Sequence, residues 1–146
     1  MYKVILVPLD GSSLAEAVLP HAQALAKSEG AEIVILRVPI VHSDEFISRD
    51  PAVIAKIIED MDKQTKEYVD EKVSALKSQG IKVSAVIREG SIPDTIIEVA
   101  KEFHADVITM STHGRSGLQR ILMGSVAEQV VSISSVPVML FHPSSI

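Results

Sequence analysis

A doubly wound α/β fold, a parallel five-stranded sheet flanked by four helices, is what this sequence predicts. Three observations predict it. Short β-branched runs alternate with longer stretches of helical periodicity along the whole 146 residues. Glycine, proline or aspartate marks most junctions between them. The segments leaving the first, second and fourth strand-like runs, where open parallel sheets bind ligands, carry Pro8-Leu9-Asp10-Gly11-Ser12, Val38-Pro39-Ile40 and the loop from Met110.

Residues 3–8 are rich in β-branched side chains and read as the first strand. Ser13-Leu14-Ala15-Glu16 has capping-box spacing and opens a helix that runs to about residue 29, where Gly30 stops it, with Pro20 marking a kink. Residues 32–38 form the second strand, and residues 39–49 are the longest stretch without clear periodicity. Asp50 and Pro51 then supply an N-cap and a first-turn proline for a helix ending near Ser78, with Gly80 behind it. Val53, Ile54, Ile57, Ile58 and Met61 recur at helical spacing, and Tyr68, Val69, Val73 and Leu76 extend the same packing face. Residues 82–88, 107–110 and 136–141 are the remaining strands, and residues 93–103 and 125–133 the remaining helices. Strands separated by helices imply right-handed crossovers, hence a Rossmann-like or flavodoxin-like sheet of order 3-2-1-4-5 in one domain over residues 1–146.

Composition narrows the function. A net charge of -5 and the lack of a long Lys/Arg cluster argue against nucleic acid or an acidic membrane as the main partner. Without cysteine there is no disulfide framework, thiolate metal site or cysteine nucleophile, which suits a cytoplasmic protein. The apolar run at residues 4–9 is short and ends in Asp10-Gly11, so neither a signal peptide nor membrane insertion is expected. His21, His42, His104, His113 and His142 are scattered without metal-ligand spacing, and no metal site is expected.

The richest stretch is Met110-Ser111-Thr112-His113-Gly114-Arg115-Ser116-Gly117, with Gly124-Ser125 opening the last helix. A glycine-bearing loop leaving a strand, followed by a helix N-terminus, is the layout of a phosphate cradle, because close-approaching main-chain N–H groups and a partial positive charge favour an anion. The plainer reading is a loop with a helix cap, since Ser125-Val126-Ala127-Glu128 is itself a capping box. Arg115 and Arg120 would pair well with phosphate or simply face solvent. Asp10 reads as a ligand group, a cap for the next helix, or both; Val38 and Met110 as core or as walls for a base; His113, inside the cradle, as a turn-shaping, solvent-facing or ligand-touching residue.

These strand ends together resemble the ATP-binding branch of the universal stress protein family, over essentially the whole chain. The family's glycine pattern falls on Gly114 and Gly124, with Ser125 following, while Ser111 occupies the first glycine position and Ser91 the glycine before Pro93. If the backbone at Ser111 needed positive φ, a non-glycine residue would cost about 1–2 kcal/mol, roughly a tenfold loss of affinity. The resemblance implies that Pro8, Asp10, Val38 and Met110 surround an adenosine while Ser111, Gly114, Gly124, Ser125 and Val126 line the phosphates. It also implies that Mg²⁺ or Mn²⁺ rides on the triphosphate of ATP, and that a homodimer forms through the last strand, whose Val136, Val138 and Leu140 would otherwise be an apolar edge.

The loop lacks the lysine of a P-loop, and no nucleophile triad or carboxylate pair stands beside it. Binding is therefore expected over turnover: a nucleotide-dependent stress or signalling module that contacts a protein partner. A slow adenine-nucleotide hydrolase using Asp10 or His113, and a nucleotide-free dimeric scaffold, are the two competing expectations.

Overall fold

Val4–Leu9 (β1) forms the middle strand of a sheet whose order is β3-β2-β1-β4-β5, the other strands being Glu32–Arg37 (β2), Val83–Ile87 (β3), Val107–Ser111 (β4) and Val138–Phe141 (β5). The computed structural model describes residues 1–40, 50–114 and 123–143. Every pairing is parallel, with Val4 opposite Glu32, Ile33 opposite Val83, Ile5 opposite Val107 and Ile108 opposite Val138. The order and direction agree with those expected from the alternation of strand and helix.

Side chains alternate across the sheet, so consecutive apolar residues feed two cores. Ile5, Val7, Ile33 and Ile35 pack with Ala22 and Ala26 of Leu19–Glu29 (α2) and with Leu76 of Pro51–Ser78 (α3). Leu6, Val34, Leu36 and Ile108 pack on the other face with Ile96 and Val99 of Ile92–Glu102 (α4) and with Ala127 and Val130 of Ser125–Ile133 (α5). The Asp106 carboxylate accepts from the N–H groups of Lys3 and Val4 at 2.7 and 2.9 Å, pinning the chain start to the head of β4.

Several local expectations change. The first helix is split into Ser13–Glu16 (α1) and α2. Pro20 lies in the first turn of α2, because in a continuous helix its ring would meet the carbonyl of residue 16. The N-cap of α1 is Ser12, one residue earlier than the capping-box spacing suggests: its Oγ accepts the Ala15 N–H at 3.1 Å. Gly124, not Ser125, caps α5, and no side chain closes that cap. Ser91 stands at the N-cap of α4, also without a side-chain bond.

Asp50 and Pro51 open α3 as expected, with Ala52 N–H donating to Asp50 Oδ1 at 3.0 Å. Its apolar face, however, packs only in the C-terminal half, where Val69 and Leu76 are buried; Val53 and Ile58 are 43% and 44% exposed. A helix of 28 residues is about 42 Å long, roughly twice the length of the strands beneath it. Its N-terminal half therefore overshoots the core.

Candidate functional site

Chain topology builds a crevice at one end of the sheet. From β1 the chain crosses to β2 on one side and later reaches β4 on the other, so the segments leaving β1 and β4 part company there. Between them lies a cavity of about 290 Å³, at the lower end of small-ligand pockets. Pro8, Asp10, Val38, Met110, Ser111, Gly114, Gly124, Ser125 and Val126 all line it. The residues singled out in sequence thus converge on one space.

One wall is apolar. Val38 and Met110 are buried, at 5% and 6% exposure, yet they border the cavity as well as the core, so the two readings of these residues do not exclude each other. Ile40, Ile92 and Ile96 complete this wall. The last two come from α4, which sequence reasoning did not include: the residue after Ser91, rather than Ser91, reaches the cavity. Periodicity marked Ile92 and Ile96 as apolar helix positions, but only the crossover places that helix end beside Met110.

The other end is polar and built from backbone. Asp10 Oδ1 accepts from the Ser12 N–H at 2.9 Å and from the Ser12 hydroxyl at 2.6 Å, and the same hydroxyl caps α1. Asp10 thus anchors the capping residue instead of capping the helix itself. A Cβ on Gly114 would collide with Asp10 Oδ2, so the main chain passes where only glycine leaves room for the carboxylate. At Gly124 the constraint is also space: φ is -69°, its N–H donates to Thr112 O at 2.6 Å, and a Cβ would stand 2.9 Å from that oxygen. The first N–H groups of α5, on Ser125, Val126 and Ala127, have no acceptor within the helix and open toward the cavity end.

Ser111 is buried at the end of β4, and its Oγ accepts the His113 N–H at 3.4 Å. His104 is the sole described non-glycine residue with positive φ, so Ser111 carries no strain of that kind. The cost conditional on positive φ does not arise. His113, for which the sequence leaves turn, surface and ligand-touching readings open, is 4% exposed and lines the cavity; its Nδ1 lies 2.9 Å from Thr112 Oγ1 and its ring stacks on His142 at 5.6 Å. Burial of a histidine within a glycine-bearing loop has no signature in local sequence. Arg115, Gly117 and Arg120 lie outside the described residues. Among the described residues, no three His, Asp or Glu side chains gather as a metal site, and no helix is long and apolar enough to cross a membrane.

Known proteins share this architecture. Universal stress protein MJ0531 of Methanocaldococcus jannaschii is 33% identical over 141 residues, covering 96% of this chain and 82% of its own. MJ0577 of the same organism, also a universal stress protein, is 31% identical over 96% of this chain and 94% of its own. Its solved structure superposes with a TM-score of 0.78 over 100% of this chain and 99% of that one. The universal stress protein of Archaeoglobus fulgidus in complex with dAMP has the same fold, with a TM-score of 0.64 at 22% identity over 96% of this chain and 97% of its own. The profile of the Universal stress protein family matches residues 1–142, which takes in all five strands and the whole cavity lining, and so the chain belongs to that family.

Proposed function

We propose that this chain, acting over residues 1–146 as one domain, binds an adenine nucleotide at the β1–β4 crevice and serves as a nucleotide-dependent stress or signalling module. The observation that carries the reading is the convergence of an apolar slot, a single carboxylate and an open helix N-terminus on one cavity. A purine suits the wall of Val38, Ile40, Ile92 and Met110, with the Asp10 carboxylate beside it to accept hydrogen bonds from base or ribose. Phosphates suit the opposite end, where Gly114 and Gly124 bring main chain close and the first N–H groups of α5 have no acceptor within the helix. The dAMP complex of the Archaeoglobus fulgidus relative supports an adenine nucleotide.

ATP is the proposed ligand, with Mg²⁺ or Mn²⁺ carried on its triphosphate; bound there, the cation would offset phosphate charge. The chain's own groups favour holding over cleaving. The loop lacks the lysine of a P-loop, and Asp10 and His113 are the only titratable side chains among the described lining residues that could orient a water. We further propose a cytoplasmic homodimer through β5, an edge strand whose Val138, Met139, Leu140 and Phe141 are all half-buried, with Val131 and Ile133 of α5 44% and 50% exposed.

Titration calorimetry with ATP, ADP and AMP tests the nucleotide reading, together with mass spectrometry of small molecules released on denaturation. Saturable binding weakened in Asp10→Ala is the expected result. Failure to bind any adenine nucleotide would leave the scaffold reading. Rapid phosphate release lost in the same variant would favour the hydrolase. Light scattering tests the dimer, and a monomer at micromolar concentration would count against it.

A further inference from the structure

Glu16 has the capping-box spacing, yet the cap of α1 does not use it. Its carboxylate reaches instead across 52 residues of sequence to α3. The Tyr68 hydroxyl donates to Glu16 Oε2 at 2.9 Å, and Lys72 Nζ lies 2.6 Å from Oε1. The pair is sheltered, with the Lys72 and Glu16 side chains 18% and 24% exposed. Two cations stand against the Tyr68 ring, Lys72 Nζ at 5.3 Å and the Arg37 guanidinium at 5.8 Å from its centroid. Burial, and then the Glu16 carboxylate, hold the Tyr68 hydroxyl well above the ordinary phenol range, so it remains a donor at any physiological pH.

This cluster lies one step behind the cavity. α1 has only four residues, too few to hold a helical turn on its own. Its N-terminal end is tied through Ser12 to Asp10, and its last residue is Glu16. Arg37 directly precedes Val38, a wall of the cavity. Two of the segments that build the site therefore meet at one tyrosine on α3.

We propose that Glu16 is a positioning residue for the adenine-nucleotide site, clamped by Tyr68 and Lys72 so that α1 holds Ser12, and with it the Asp10 carboxylate, against the cavity. The inference rests on the nucleotide reading above for its ligand, and on hydrogen bonds and the Glu16–Lys72 ion pair for its mechanics. Without the clamp, Glu16 and the turn it ends are free to rotate. The Ser12 cap then loosens, and Asp10 spends part of its time away from the position that Gly114 leaves open for it.

Tyr68→Phe is the sharpest test, since it keeps the ring under both cations and deletes only the donor. Glu16→Gln is the second variant, keeping an acceptor for Tyr68 while losing the charge pair with Lys72. Val107→Ala is the control: at the start of β4, away from the strand ends that line the site, it opens a cavity in the same core and lowers stability without touching the cluster or the cavity lining. Two measurements are made on the intact chain below every melting transition: ATP affinity by calorimetry, and amide exchange at Ser12 and Ala15 in the ligand-free protein. In Tyr68→Phe, affinity should fall about three- to tenfold and exchange at both amides quicken by a similar factor, with Glu16→Gln between it and the parent. Val107→Ala should move neither. Unchanged affinity in Tyr68→Phe against a parent that binds ATP overturns the proposal, as does an equal loss in Val107→Ala. A parent that binds no nucleotide refutes the nucleotide reading instead, and unchanged exchange at Ser12 and Ala15 then refutes the clamp separately.

Discussion

Replacing Gly114 by alanine places a methyl group where the Asp10 carboxylate stands. The backbone there does not have positive φ, so alanine is conformationally allowed and by itself would stabilise the fold by about 0.4–1 kcal/mol through the unfolded chain. The clash reverses the sign. Asp10 cannot retreat without surrendering Oδ1 contacts of 2.9 and 2.6 Å to the N–H and hydroxyl of Ser12, and hydrogen bonds to a charged group contribute about 1.5–3 kcal/mol each. Asp10 is only half-buried, and water will replace part of that loss. A net destabilisation of about 2 kcal/mol follows, equivalent to about 4–8 °C in Tm for a chain of this size. ATP affinity should fall about tenfold or more, because the same movement takes the carboxylate out of the cavity. Thermal melts and calorimetry of Gly114→Ala, Asp10→Ala and the double variant form the cycle that decides it. With the carboxylate gone, Gly114→Ala should become neutral or stabilising. An equal Tm loss in both backgrounds would mean that some contact other than Asp10 makes glycine necessary.

Three further outcomes follow from local geometry. Ser111→Gly should leave ATP affinity within about twofold and lower stability by roughly 0.5–1 kcal/mol, because the serine is unstrained and glycine weakens a strand; calorimetry and a melt check both, and a large gain in affinity would refute it. His104→Gly should raise stability by about 1 kcal/mol, since His104 turns the chain after α4 at a φ of 52° that glycine adopts at no cost; a lower Tm would count against this. The N–H groups of Lys3 and Val4 hold the Asp106 carboxyl below its ordinary value, so the unfolded chain binds the proton first as pH falls. This contribution is complete above the ordinary carboxylate range and disappears as pH drops through the lowered folded value. Asp106→Asn should therefore be less stable at neutral pH and show a flatter acid limb in pH-dependent melts.

How much of this was legible in sequence depends on the distance over which each feature is determined. The Ser125–Ile133 helix matches its expected bounds, and the Asp50–Pro51 start of α3 is where its dipeptide announces it, because caps and periods act within a few residues. The same locality explains the shifted cap of α1. Ser12 and Ser13 are equally good capping residues, and only Asp10, bonded to Ser12 twice, selects between them. The cavity was legible at its strand ends because a parallel sheet puts all carboxyl ends on one side. Its helix wall, Ile92 and Ile96, was not, since nothing within α4 states which strand end it will face.

Glu16 carries that distinction furthest. Three residues after Ser13 it has capping-box spacing, and in isolation a side chain reaching back to that residue is the natural reading of its position. A one-turn helix, however, has too few internal bonds to enforce any side-chain choice, so the partner that offers the better-sheltered contact decides. Tyr68 and Lys72 lie four residues apart on one face of α3, and their spacing matches the two oxygens of a single carboxylate. α3 owes its place above β2 and β3 to Val69 and Leu76, residues from the same stretch of helix. The packing that seats α3 on the sheet thereby also delivers the two donors to Glu16. The geometry around Asp10 is set as much by the C-terminal half of α3 as by the loop that carries Asp10 itself.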